Sequence, residues 1–336
     1  MYPALPPDPA RYPALPPDPA LPPDPVRRPL PAGLPPADSA PARLRVGVVG
    51  AGRVGAVLGA ALAAAGHEVV AAAGLSAGSH ERAARLLPGV PLLPTDQVVA
   101  MSDLVVLAVP DDTLTGLVAG LAGTGGWRAG QLVFHTSGAH GLAVLAPAER
   151  AGVLSLALHP AMTFAGRPED ADRLVGAPFG VTSRPEHRAV GEMLVLEMGG
   201  EPFWVAEPDR VLYHAALVGG ANHLVTLVAE AADLLRTAGV QSPARVLGPL
   251  LTAALDNALR HGDQGLTGPV SRGDVGTVHD HVVTLTDRAP AAVDSYVAMA
   301  RRTTQRALSA GRLKPHEGAP LLDLLATAAQ ENGAAR

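Results

Sequence analysis

The chain has 336 residues, enough for two domains, or one large one, and a buried core. A net charge of −5 argues against a partner gripped through nucleic-acid phosphates. Cysteine is absent, which excludes disulfides, thiolate metal sites and cysteine nucleophiles and fits a reducing cytoplasm; the only lysine is Lys314.

Residues 1–43 stand apart. "YPALPPDPA" occurs at 2–10 and again at 12–20, and "LPPDP" follows at 21. Proline at this density removes amide donors and forces extended backbone, so a disordered, partly polyproline tail is expected, with docking to a proline-binding domain as the functional alternative. No basic segment followed by an apolar run opens the chain. The longest apolar stretch, Val54 to Gly66, is too short to span a bilayer, so a soluble cytoplasmic protein with no membrane partner is expected.

From Leu44 the texture changes. "LRVGVVG" reads as a buried strand, and the helical spacing after it ends at Gly66, a natural helix stop. "HEVVAAAG" reads as a second strand, and "SHERAARLL" as a helix with Ser79 at its N-cap. Further strands are expected over 102–110, 130–138, 152–160 and 178–183, with the helix "DTLTGLVAGLAG" between the first two. Apolar strands alternating with helices imply a mostly parallel sheet covered on both faces. After about residue 206 the strands stop. Helical patterns are expected over 208–239, 243–260, 272–286, 290–309 and 320–330. The chain thus reads as an α/β Rossmann domain over 44–206 and an all-α domain over 207–336.

Gly50, Gly52 and Gly55 form a G-x-G-x-x-G pattern directly after a strand and at the start of a helix. Gly50 permits the tight turn, Gly52 lets a pyrophosphate reach the backbone, and Gly55 permits close helix–strand packing. Arg53 and Val54 lie between them. An NAD site places an acid at the end of the second strand to hold the ribose 2′-hydroxyl. Here Ser76, Ser79, His80 and Arg82 stand there instead, which suits a 2′-phosphate and predicts NADP. "LAVPDD" ends another strand, so Val109 and Pro110 should line the nicotinamide side. "HTSGAH" ends the next, offering Ser137, Gly138 and His135, the last a base or a structural residue.

The "AVPDD" and "TSG" loops on a Rossmann domain followed by helices resemble the 6-phosphogluconate dehydrogenase-like reductases, among them ketopantoate reductase, β-hydroxyacid dehydrogenases and pyrroline-5-carboxylate reductase. More narrowly, "HTSGA", "LHPAMTF", "YHAALVGGANHL" and "TGPVSRGD" together resemble a bacterial family that joins a Rossmann-like domain to a helical domain of unknown function. Some of its members are regarded as an alternative type of ketopantoate reductase. The likeness covers 44 to about 330. It implies an NADPH-dependent reductase of a small 2-keto acid, with 2-dehydropantoate to pantoate, a step of pantothenate biosynthesis, as the most specific expectation. An imine reductase and a non-catalytic NADP-binding sensor are the alternatives. At family level a homodimer is also implied.

One departure matters. The enzymes of that superfamily with a helical lysine carry it four residues before an asparagine. Here Asn222 has Val218 at that position. His214, two turns before Asn222, is the replacement candidate as general acid, with Ser137 as a third catalytic candidate. His214 and Asn222 could equally be bonded interior polar residues. His159, before the turn-fixing Pro160, is a further candidate on the substrate side, as is the bare amide of Gly138. His279 and His281 lie two apart on a helix and so point to different faces, and no metal is expected.

In "TGPVSRGDVGT" a glycine–proline turn is expected to put Arg272 at or just before a helix start and Asp274 in its first turn. A cation there is disfavoured by the helix dipole and needs an anion. Asp274 supplies one, or a substrate carboxylate does through a bidentate pair, with Asp274 orienting the guanidinium.

Overall fold

The computed structural model describes residues 43–334; the tail read over 1–43 lies, apart from Arg43, outside the described residues. These divide into two compact units, one ending at His223 and one starting at Leu224.

The first unit is built on seven strands: β1 Arg45–Val49, β2 Glu68–Ala73, β3 Leu104–Leu107, β4 Leu132–His135, β5 Leu154–Pro160, β6 Pro178–Ser183 and β7 Glu201–Trp204. Their order is β2-β1-β3-β4-β5-β6-β7, and every pair is parallel except β5 with β6. This is the mostly parallel sheet expected of a Rossmann fold. The central strands are valine and leucine runs buried on both faces: all four residues of β3 are inaccessible, and only Arg45 of β1 reaches solvent.

Helices α1 Arg53–Ala64, α2 Ala77–Leu86, α3 Thr95–Met101 and α4 Asp111–Gly123 connect the first strands. The four-residue α5 Ala146–Glu149, α6 Glu169–Leu174 and α7 Arg188–Glu197 connect the later ones. Helix α1 stops where expected: Gly66, at φ +99, follows the cap residue and donates its amide to Ala63. One apolar layer joins Leu58 and Leu62 of α1 to Phe134, Leu156, Phe179 and Leu194, and a second lies on the other face around Leu114, Val118 and Trp127. Strand β7, "EPFW", was not expected, because Pro202 and a charge hide its pattern.

The cap expected at Ser79 belongs to Ser76. Helix α2 begins at Ala77, and Ser79 is its third residue, closing a reciprocal capping box with Ser76.

A helical run, Glu207–Thr237, contains α8 Arg210–Leu217, a π turn Val218–Asn222 and α9 His223–Thr237. It is 31 residues long, and its most apolar stretch has a mean hydropathy of 1.4 with none of it buried. By length and composition it could cross a membrane, which the sequence reading did not foresee because His214, Asn222 and Glu230 interrupt the apolar residues.

The second unit continues with α10 Pro243–His261, α11 Pro269–Arg272, α12 Val275–Arg288, α13 Val293–Ser309 and α14 Pro315–Ala334. Its core lies among the last three, on Val278, Val297, Ala300, Leu321 and Leu325. Pro320 does not start a helix: it stands inside α14, past the first turn, where it leaves the His316 carbonyl without its helical amide partner.

Candidate active site

The first strand–helix junction is shaped by three glycines, each for a different reason. Gly50 has φ +95, and a Cβ on it would lie 2.4 Å from the Ala108 carbonyl oxygen. A Cβ on Gly55 would fall 2.2 Å from the Gly50 carbonyl oxygen. Gly52, by contrast, has nothing nearer than 3.9 Å, so its missing side chain leaves open space. The amides of Gly50 and Ala51 both donate to Ala73 at the end of β2, which ties the turn to the neighbouring strand. Gly52 occupies the N-cap position of α1 without a side chain to cap it, so the helix end is free for an anion.

Beside this turn lies a cavity of about 440 Å³ lined by Gly50, Gly52, Ser76, Ser79, Arg82, Val109 and Pro110. No carboxylate among the described residues lines it. Arg53 and Arg82 flank Gly166: a Cβ there would meet Arg82 Cδ at 2.6 Å and Arg53 Cγ at 3.1 Å. Arg85 donates to the Gly166 carbonyl at 2.6 Å, and Asp170 accepts the amides of Ala165, Gly166 and Arg167, which fixes the loop. The Nε of Arg82 is buried without a partner among the described residues. The Ser79 hydroxyl is committed to Ser76, donating to its carbonyl oxygen at 2.6 Å, and His80 bonds the Gly74 carbonyl oxygen at 2.8 Å. Val54 packs on the sheet core instead of lining the cavity. These residues fit a dinucleotide: an open helix N-terminus for the pyrophosphate and unpaired guanidinium donors where an NAD site would carry an acid.

The polar residues expected beyond β4 and β5 meet at α8. His135 is structural: fully buried, its Nε2 donates to the Gly141 carbonyl at 2.8 Å and its Nδ1 accepts the Ser137 amide at 3.2 Å. Burial lowers its pKa to about 4, so it is neutral at pH 7. Ser137 is itself buried, and its hydroxyl accepts the His140 amide at 3.0 Å. His159 Nδ1 lies 2.8 Å from the Tyr213 hydroxyl, and its ring meets that of His214 edge-on at 6.0 Å between centroids. Burial, and then the charges of Arg210 and His214, lower the His159 pKa to about 4, against a small opposing pull from Asp111. A Cβ on Gly138 would meet His214 Cδ2 at 2.6 Å and His159 Nε2 at 3.0 Å, so the bare Gly138 is what lets both rings approach this strand end.

Asn222 lies on the exposed side of the π turn, and no bond links it to His214. Eight residues at the α-helical 100° per residue would leave the two about 80° apart. The wider π turn between them takes up one residue and closes most of that offset, so both stand on one side of the run.

The sequence reading missed Tyr213 and Arg210. Tyr213 packs edge-on against Phe203 of β7 at 5.8 Å, and burial raises its pKa, opposed by Arg210. Arg210 is 1% exposed. The signal was their spacing: Arg210 lies four residues before His214 and three before Tyr213, on one helical face.

Arg272 and Asp274 belong to the other unit and pair with each other. Arg272 Nε and Nη2 both donate to Asp274 Oδ2, at 3.2 and 2.8 Å. Arg272 ends the four-residue α11 and stands just before α12. Gly273 follows at φ +80, and Asp274 stands at the N-cap position of α12 without making a cap bond. His281 bonds Tyr296, whereas His279 faces Asp280, so the two histidines have different partners.

Residues 32–160 match the model of a Rossmann-like domain, and residues 177–303 match that of a domain of unknown function, DUF2520. The chain joins a Rossmann-like domain to a DUF2520 domain. The second match begins at the start of β6, so it takes in the end of the sheet as well as α8 with Arg210, Tyr213 and His214. No curated protein matches the chain. Among solved structures it is similar to a Bacteroides fragilis protein described as a candidate NADP oxidoreductase, at 22% identity over 78% of this chain and 98% of that one, with a TM-score of 0.65. It is also similar to an imine reductase from Pseudomonas sp. (18% identity, 81% and 99% covered, TM-score 0.58). An imine reductase from Myxococcus stipitatus in complex with NADP+ is a third likeness (19% identity, 78% and 94% covered, TM-score 0.55). At these identities the likeness is one of fold.

Proposed function

We propose that the protein is an NADPH-dependent reductase of a small 2-keto acid, with 2-dehydropantoate as the substrate to try first. The observation that carries this reading is the union, in one unit, of an acid-free dinucleotide cavity with a cluster of neutral histidines and a phenol at the ends of β4 and β5. Gly50, Gly52 and the start of α1 would hold the pyrophosphate, Arg53, Arg82 and Ser76 the 2′-phosphate, and Val109 and Pro110 the nicotinamide side. When bound, the cofactor supplies a hydride. The chain's task is then to protonate the atom made basic by reduction, which His214 or His159 can do at its ring nitrogen. The charge influencing this cluster most is the cation of Arg210, behind histidines that are hard to protonate. That field suits a developing alkoxide better than an iminium, which favours the keto acid over the imine.

The test is NADPH oxidation across a panel of 2-keto acids and cyclic imines. Turnover of keto acids supports the reading, turnover of imines alone replaces it with the imine reductase, and tight NADPH binding without any turnover leaves a sensor. NADPH should bind at least about ten-fold more tightly than NADH, because guanidinium donors meet the 2′-phosphate.

We also propose a cytoplasmic homodimer. Helix α9 has no buried residue, and Leu224, Val225 and Leu227 on it and Val246, Leu250 and Leu259 on α10 are exposed apolar side chains that a second copy would cover. Light scattering reads the mass, and a monomer at micromolar concentration would end this proposal.

A further inference from the structure

Arg210 is hard to explain as a structural residue. It opens α8, where the helix dipole disfavours a cation, and it is 1% exposed. No carboxylate pairs with it among the described residues, and its one hydrogen bond runs from Nη1 to the Gly180 carbonyl at 3.3 Å. Nε and Nη2 are buried with no partner. Buried polar groups are normally satisfied, and a guanidinium with two idle donors is costly to keep.

Its surroundings show what could use them. Tyr213 lies three residues on, on the same face of α8. A Cβ on Gly180 would fall 2.8 Å from the Tyr213 hydroxyl oxygen, so phenol and guanidinium both rest on this one glycine of β6. Gly180 is also the register partner of His159 on β5. Across that pair the Tyr213 hydroxyl reaches His159 Nδ1 at 2.8 Å. A neutral imidazole accepts at one nitrogen and donates at the other. With Tyr213 donating to Nδ1, the proton of His159 sits on Nε2, on the side of Gly138 where side-chain bulk is missing.

We propose that Arg210 is a positioning residue for a two-step proton relay, its idle donors held for the negative charge that appears on Tyr213 during turnover. This rests on the reading of the site as a reductase's. His159 Nε2–H gives its proton to the substrate atom made basic by reduction. Nδ1 takes the phenolic proton of Tyr213, and the imidazole stays neutral with its tautomer reversed. The charge moves from the substrate to the Tyr213 oxygen, beside the guanidinium, and water restores the phenol after product leaves. A site of this kind gains from donors aimed at charge that exists only in transit. The groups acting on His159 agree: burial, Arg210 and His214 oppose its protonation and only Asp111 at the start of α4 favours it, so it passes a proton on and does not store one. Burial resists ionisation of Tyr213, and Arg210 is what opposes that.

The experiment is a pair of titrations on the full chain. Tyr213 is followed by phenolate absorbance, as the difference from Tyr213→Phe, and His159 by NMR of its ring. Arg210→Met removes the charge and keeps the bulk; Arg210→Lys keeps the charge. In Arg210→Met the Tyr213 pKa should rise by about a unit or more, that of His159 should rise as well, and turnover should fall about ten-fold or more with KM unchanged. Arg210→Lys should return both titrations most of the way. Titrations that do not move in a folded Arg210→Met overturn the proposal. If that variant does not fold, the native chain decides. Tyr213 and Tyr296 are both raised by burial, but only Tyr213 has a guanidinium acting on it, so Tyr213 should ionise at the lower pH. The reverse order overturns the relay. These titrations need no substrate. Lack of reductase turnover would sink the reductase reading alone, and unmoved titrations in an active enzyme would sink the relay alone.

Discussion

The glycine turn after β1 and the histidine cluster after β5 belong to one unit but reach function by opposite routes. At the turn, side chains have been taken away: Gly50 and Gly55 because backbone occupies their space, Gly52 although nothing nearby demands it. At the cluster, polar side chains have been pushed in, and burial has made two histidines reluctant to take protons. A site made by removal should fail through sterics, and one made by burial through pH.

The largest expected effect is on acid stability. His135 and His159 have folded pKa values near 4, below the ordinary 6.5. Above pH 6.5 neither state binds a proton at these positions, and their contribution is constant. Between pH 6.5 and 4 the unfolded chain takes protons that the folded one refuses, so stability falls, by on the order of 3 kcal/mol for each group, and levels off below 4. Melting curves from pH 7.5 to 4.5 read this directly. Replacing His135 with glutamine should flatten the fall, and an unchanged slope would show that other groups cause it.

Next comes the turn. Gly55→Ala drives a methyl into backbone and should cost about 3 kcal/mol of stability. Gly52→Ala meets nothing and should leave the melting temperature alone while weakening NADP(H) binding about ten-fold or more, since the space it fills is where the pyrophosphate approaches. Normal binding by Gly52→Ala would break the comparison at its steric end.

A smaller effect is expected at His214. His214→Ala should lower kcat by less than about ten-fold with little change in NADPH affinity, since the relay gives the proton from His159. A fall of about 10²-fold would instead make His214 the proton donor in place of His159.

These two regions also differ in how legible they were. The turn announces itself, because a backbone that cannot carry Cβ atoms leaves glycines at fixed spacing directly after an apolar strand. The capping of α2 was misplaced by one turn because Ser76 and Ser79 can each serve as a cap, and only the bonds between them show which does. His159 and His214 could be nominated singly, from the residues around them. Arg210 and Tyr213 share a helical face with His214, but "RVLYHAAL" reads as an amphipathic helix, and what gives it chemistry is Gly180 on a strand distant in sequence. At Arg272 the helix that starts just beyond it was legible, but not the four-residue α11 that ends on it.

That pair gives the smallest prediction. Side-chain exposures of 62% and 41% put Arg272 and Asp274 at the surface, where such a bridge contributes about 1 kcal/mol at most. Arg272→Lys should therefore hardly move the melting temperature. If Arg272 anchors a substrate carboxylate, KM for the acid should rise strongly all the same; if KM is also unchanged, the pair is a surface ion pair and nothing more.

The π turn at Val218–Asn222 has a consequence for chain length. Geometrically it equals an α-helix that has absorbed one inserted residue without breaking. Deleting Gly219, where an added Cβ would meet nothing, would restore a plain α register and leave Asn222 within about 20° of His214, because seven α-helical residues turn about 700°. The common side of those two side chains therefore survives the loss of one codon, a change that no scan of substitutions would ever sample.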